Sequence, residues 1–391
     1  MQPICLYLRA AQPLRFKNYL FSRIGVDHDY EDREWLADEL NTLCDQAILP
    51  ANALLTKLLA QELGTPNGPR QPIKLAISVG HRLLVKLVET RPDVVASLAG
   101  LLATGRVELV ADPEFGPLAL ACAPEQLAAH VDACLHQLVA TFGYTPISGS
   151  MVGNLLTPDL ARALAKSGFR TVLAQLPSGA HHAMPAVAFS SDLALVYGND
   201  EWAKVFVEHF DDPTSSLYPF TAAKFLRQHT PPANLFFDYA TFGVTYPEES
   251  GIFGFLEQLV EGMGQSAYFQ ATLPAELEAV KTPSASGYPV ALALADKEFN
   301  ALTENKLQKE VLEKLRSLKC QIPIDEPVLM ESWLQLCDVS LFRAMRLGQA
   351  HPLLRENPYD VYINCMNILS DLEKRLPPPG GPVRAKVFSS L

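Results

Sequence analysis

Five short runs of the chain are apolar at nearly every position: ICLYLR (4–9), IKLAISV (73–79), RVELVA (106–111), TVLAQL (171–176) and ANLFFDY (233–239). A strand with one wet face alternates in polarity, whereas a run without alternation must be covered on both faces. Helical segments lie between the runs. PANALLTKLLAQELG (50–64) has proline at its start and glycine at its end, and PEQLAAHVDACLHQLVATFG (124–143) repeats that punctuation. TPDLARALAKSGF (157–169) opens on a threonine cap, with Pro158 at the first helical position. Strand and helix in alternation predict a parallel sheet, in a barrel or a doubly wound α/β domain.

The strand signal fades after about residue 275. ENKLQKEVLEKLRSLK (304–319) aligns Leu307, Val311, Leu312, Leu315 and Leu318 on one helical face. VLMESWLQLCDVSLFRAMRL (328–347) and PYDVYINCMNILSDLEKRL (358–376) read as two further helices. The expected organisation is an α/β domain over 1–275, a helical region over 276–377 and a proline- and glycine-rich tail over 378–391. No internal repeat is visible.

A chain of 391 residues with 48% hydrophobic residues can bury a sizeable core. It contains no apolar stretch long enough to span a membrane, and MQPICLYLRAAQP lacks the basic and apolar regions of a signal peptide. The net charge of −11 disfavours nucleic acid and anionic membrane and suits a neutral substrate or a protein partner. Seven scattered cysteines, an odd number with no CxxC, argue against a disulfide framework or a thiolate zinc site. They read as small core residues in a reducing cytoplasm, and no cofactor or metal site is indicated.

At the ends of strands stand the residues that could carry chemistry. Asp238 closes NLFFDYATFG, while GRVELVADPEFG (105–116) leaves its strand through Asp112 and Glu114. RAAQPLR (9–15) follows the first strand, and SGSMVGNLLTPD (148–159) precedes a helix. With IGVDHDYED (24–32), LPANALL (49–55), EESGIFGFLEQL (248–259) and PYDVYINCMNILSDLEKRL, these segments resemble, in order and spacing, glycoside hydrolase family 57, whose members act on α-glucans by a retaining mechanism. The resemblance covers nearly the whole chain. It implies an incomplete (β/α)7 TIM-like barrel with a C-terminal α-helical region.

The same resemblance exposes departures. The family's HQP histidine falls on Ala11, a second histidine near Gly116 and a third on Val339. A glutamate usual after the acid/base aspartate falls on Ala240, and the catalytic nucleophile falls on Leu155; the acid/base position is kept as Asp238. Retaining hydrolysis needs two carboxyl groups about 5 Å apart, and leucine cannot attack an anomeric carbon.

Each candidate has a plainer reading. Asp238 could cap a turn. Asp112 and Glu114 could replace the missing carboxylate in an inverting site, about 6.5–9.5 Å from Asp238, or be acids of a solvated loop. Glu108 fits a structural hydrogen-bond network. DHDYED (27–32) and His181–His182 read as polar loops, and Gly80 alone makes no phosphate cradle. Trp202 could stack on a sugar or sit in the core. The expected function is an inactive family-57-like protein that binds an α-glucan or oligosaccharide, or regulates glycogen-type metabolism through a protein partner. The alternatives are an active hydrolase or transglycosylase using Asp238 with a relocated carboxylate, and an interaction module whose cleft is filled.

Overall fold

The structure is a computed structural model and describes residues 2–12, 14–63, 71–150, 158–175, 187–190, 193–198, 200–210, 214, 234–265, 269–277, 299–323, 326–347 and 357–376. Two compact units emerge, one of residues 1–13, 33–120 and 124–301, the other of 14–32, 121–123 and 302–391. Segment 14–32, which the sequence places in the first domain, thus clusters with the C-terminal helices. The tail at 378–391 lies outside the described residues.

The first unit is a curled parallel sheet. Seven parallel strands run in the spatial order Leu235–Asp238, Leu6–Ala10, Leu75–Gly80, Val107–Asp112, Ser148–Ser150, Thr171–Gln175, Leu193–Gly198; Val187–Ser190 adds an antiparallel edge. Helices follow the strands, among them His81–Thr90, Pro92–Ala103, Leu127–Phe142, Pro158–Lys166, Asp200–His209 and Ile252–Gly264. This is the incomplete (β/α)7 barrel expected from the sequence. The runs read as strands are strands, trimmed by a residue or two. Ser148–Ser150 was expected only as a short strand before its helix, and the strands at 187–190 and 193–198 were not anticipated.

Alternate residues of each strand share a face, so the barrel interior can be read in layers. The middle layer is apolar: Tyr7, Ala76, Val110, Leu173, Val196 and Phe236 form one buried cluster with Cys5 and Leu277. Below it, Glu108 is buried and raised in pKa by desolvation, against the hydrogen bonds it accepts from the Ala275 amide at 2.9 Å and from Ser148 Oγ. Those bonds seat the short helix Pro274–Leu277, whose Leu277 plugs that end. Glu108 is therefore the structural network residue that its surroundings suggested.

The ends of the sheet meet at one residue. Asn234 makes an isolated parallel bridge to Gly198, accepts from the Cys5 amide at 2.9 Å and donates to the Tyr197 carbonyl at 3.0 Å. A methyl group on Gly198 would lie 2.1 Å from the Phe236 ring, so the approach of these strands requires glycine.

The second unit packs helices Lys306–Lys319, Pro327–Gln335, Val339–Ala344 and Pro358–Arg375. The sequence suggests one helix over 328–347. Instead, Asp338 adopts an extended backbone and its side chain accepts from the Ser340 amide, ending one helix and capping the next. The DHDYED stretch is a folding anchor. Buried Asp371 accepts hydrogen bonds from the Tyr30 hydroxyl, the Gly25 amide and His28 Nδ1. Burial alone would raise the Asp371 pKa, but these three donors outweigh it and hold the pKa low.

Two measurements test these anchors. Asn234→Ala leaves two buried backbone groups without partners and should cost roughly 2–4 kcal/mol in urea unfolding, with the m-value unchanged. Because the Asp371 pKa is lowered on folding, its contribution is complete above its unfolded value of about 4 and disappears as pH falls through the lower folded value. The stability difference between wild type and Asp371→Asn should therefore be about 1–3 kcal/mol at neutral pH and shrink on acidification below about pH 4.

Candidate functional site

The upper layer of the barrel, at the C-terminal strand ends, is polar. Arg9 pairs in register with Asp238 on one neighbouring strand and with Ser78 on the other. Asp112 ends the next strand beyond Ser78, and Ser150 ends the one after that. The Arg9 guanidinium reaches across to Asp112, Nε to Oδ2 at 2.8 Å; the Arg9 side chain is 14% exposed and that of Asp112 is closed to solvent. Burial opposes the Arg9 charge, and Asp112, Tyr7 and Asp238 more than offset it, so its pKa is raised. Below Arg9, Tyr7 shares a 2.5 Å hydrogen bond with Ser78, and burial followed by the Asp112 charge raises its pKa.

Asp238 differs from its neighbours because solvent reaches its side chain. The protein around it still raises its pKa by desolvation; the Arg9 charge lowers it and the Asp112 charge raises it. Solvent access moderates that push. No turn is capped by its carboxylate, so the turn-capping reading is not what the structure shows.

The rest of the FFDYATFG motif fixes where Asp238 stands. Tyr239 is fully buried, and its hydroxyl donates to Asn52 Oδ1 at 2.8 Å. Phe242 is buried against Phe237, ring centroids 5.5 Å apart. Gly243 has φ +113°, and a side chain there would collide with the Gln46 carbonyl oxygen, so the backbone geometry admits only glycine. Ala240 accepts the Val244 and Thr245 amides at its carbonyl.

Asp112 and Glu114 are not acids of a solvated loop. Asp112 Oδ1 accepts the Glu114 amide at 3.2 Å while Oδ2 holds Arg9. The Glu114 side chain is only 6% exposed and accepts the Arg82 amide at 2.6 Å and Arg82 Nε at 3.3 Å. Its backbone sits at φ +54°, a strained value for a glutamate. Burial raises the Glu114 pKa, with Arg82 opposing and Asp112 adding. The chain doubles back on itself because both carboxylates must find cations inside the protein.

Three basic residues of this layer escaped the sequence reading. Arg9 shows the signature of Asp238, one charge at the end of an apolar run. Arg82 and His81 follow directly on a buried strand. His81 is pushed down in pKa by burial, His130 and Arg82, with Asp112 opposing, and its buried Nδ1 has no hydrogen-bond partner. Of the residues singled out from the sequence, the structure gathers Asp112, Glu114 and Asp238 around Arg9. Leu155 lies outside the described residues, and Trp202 falls on the helix Asp200–His209 without a described side chain. Ala11 and Gly116 are placed without side chains that could act in chemistry, and Val339 is a buried helix residue of the second unit.

Comparison with known proteins supplies the frame. The model of "Glycosyl hydrolase family 57" matches residues 5–286. A Methanocaldococcus jannaschii protein described as "Putative alpha-amylase" is 21% identical over 387 residues, covering 88% of this chain and 78% of that one. The fold is shared with the 4-alpha-glucanotransferase of Thermococcus litoralis (TM-score 0.62, 13% identity, 97% of this chain). It is shared also with a family-57 branching enzyme of Thermococcus kodakaraensis (TM-score 0.58, 12% identity, 96% of this chain and 94% of the other). The chain spans 61% of the length of the glucanotransferase.

The Arg9–Asp112 pair gives a test. Arg9→Met strands a buried carboxylate and should cost about 3–5 kcal/mol in urea unfolding, while the double variant Arg9→Met with Asp112→Leu should recover most of it.

Proposed function

The chain belongs to glycosyl hydrolase family 57, and we propose that it is a member that holds an α-glucan at its strand-end site without cleaving it by double displacement. One observation carries the proposal: the described candidates for a replacement carboxylate, Asp112 and Glu114, are buried and committed to Arg9 and Arg82. Neither can serve as base or nucleophile without breaking a buried ion pair, at a cost of several kcal/mol. In the family alignment the nucleophile position falls on Leu155, which has no oxygen to offer. Asp238 keeps an acid/base position, open to solvent and raised in pKa. In its protonated form it can donate a hydrogen bond to a glycosidic or hydroxyl oxygen. With no carboxylate on the opposite face of the sugar, a proton delivered to the leaving oxygen has no attack to accompany it.

The α-glucan is supported by what the relatives are: a 4-alpha-glucanotransferase, a branching enzyme and a protein described as an alpha-amylase. A role in glucan metabolism through a protein partner, in the cytoplasm, belongs to the same proposal. Seven unpaired cysteines support that reducing setting, and no described helix is long and apolar enough to cross a membrane.

Calorimetry with maltoheptaose and reducing-sugar release from glycogen check the proposal together. Binding should be measurable and weakened by Asp238→Ala, while turnover should fall about a thousandfold or more below that of an active hydrolase, equivalent to about 4 kcal/mol or more of lost transition-state stabilisation. Turnover abolished by Asp238→Asn would instead establish an active enzyme, and no binding of any glucan would point to a closed cleft.

A further inference from the structure

The second unit holds a pair of thiols that the sugar site does not use. Cys122 and Cys337 are 215 positions apart in the chain (337 minus 122) and share no motif. Residues 121–123 nevertheless cluster with 302–391, which places both cysteines in one unit. Cys337 stands in the turn that Asp338 creates between two helices, its amide bonded to the Leu334 carbonyl at 3.0 Å. Cys122 is partly open to solvent and Cys337 is buried. The two thiol groups are hydrogen-bonded to each other, and the Arg316 guanidinium donates to Cys122 as well.

We propose that Cys122 and Cys337 form a reversible dithiol modification site, in which Cys122 is the accessible thiol attacked by an oxidant and Cys337 the buried thiol that resolves it. Three observations support this division of labour. The accessible sulfur lies beside a cation, the environment in which thiolates persist. Its partner sits within hydrogen-bond contact, so a disulfide needs little chain movement. The electrostatics are split accordingly: the Cys337 hydrogen bond holds the Cys122 pKa down against burial, with Arg316 helping, while burial pushes that of Cys337 up, joined by the Cys122 hydrogen bond and the Asp338 charge. Cys5, Cys44 and Cys134 are buried, and desolvation raises their pKa values. The site is independent of the sugar site and of the reading given to it.

The oxidant by chemical class is a hydroperoxide. The Cys122 thiolate attacks one peroxide oxygen, forming the S–O bond as the O–O bond breaks; the departing oxygen leaves as hydroxide or alkoxide and takes up a proton. Cys337 sulfur then attacks the sulfenic sulfur, forming S–S as S–O breaks, and its proton leaves with the hydroxide as water. The two electrons lost by the dithiol reduce the peroxide. An external thiol reverses the change by exchange.

The test treats the whole protein with hydrogen peroxide at about neutral pH and maps peptides without reduction. A Cys122–Cys337 linked peptide is expected, lost on reduction and absent in Cys122→Ser. In Cys337→Ala, Cys122 should accumulate as a sulfenic acid trapped by dimedone. Independently, iodoacetamide should alkylate Cys122 roughly five- to tenfold faster than the exposed Cys320 on the same unit, and Arg316→Met, a surface change, should erase much of that advantage. A linked peptide that fails to form in well-folded wild type, or alkylation of Cys122 no faster than Cys320, would overturn the proposal.

Discussion

Arg9 can be buried at the mouth of the barrel only because Asp112 is buried beside it, and the converse holds equally. A lone guanidinium or a lone carboxylate at that depth would be neutralised or excluded. Paired at 2.8 Å across an intervening strand, they lock the relative positions of three strand ends. The pair also settles the local chemistry. It removes Asp112 from the supply of free bases, places a positive charge beside Asp238, and leaves Asp238 as the member of this cluster that solvent reaches. Such a pair need not be more stabilising than a hydrophobic pair of the same size. What it contributes is a fixed geometry at the place where a ligand would arrive.

The parts of this architecture legible in the sequence are those whose signal is local. Both faces of strands 6–10, 75–80 and 107–112 are covered, so unbroken apolar runs reveal them. Ser148–Ser150 is nearly silent because its inward residues belong to the polar layers: Ser148 bonds to Glu108 below, and Ser150 lies among the strand ends above. A strand with no residue in the apolar layer offers no hydrophobic signal. LALVYG (193–198) carries that signal plainly, and no turn or helix punctuation beside it drew attention to it.

The site was half legible for a similar reason. A charge at the end of an apolar run marks both Asp238 and Arg9, and the first was singled out through the family resemblance while the second was passed over as loop. Asp112 and Glu114 were recognised as acids leaving a strand, but their burial was not, because their cations come from other parts of the chain. Arg9 is 103 positions from Asp112, and Arg82 is 32 from Glu114. No window of sequence contains both halves of such a pair. The break at Asp338 shows the opposite lesson. One aspartate can accept its own neighbour's amide and end a helix that periodicity alone would continue.

The FFDYATFG segment shows how far resemblance can carry a functional argument. Tyr239 is there to reach Asn52, Phe242 to fill the core, and Gly243 to let the backbone pass the Gln46 carbonyl. These residues build a platform, and Asp238 is the residue that the platform presents to solvent. A chain can keep the motif almost whole for reasons of packing while the chemistry depends on a second carboxylate supplied from elsewhere in the barrel. A match through this motif therefore speaks strongly for the architecture and only weakly for turnover. Whether a sugar is cut is decided by the groups opposite Asp238, and those that the structure describes are tied to arginines.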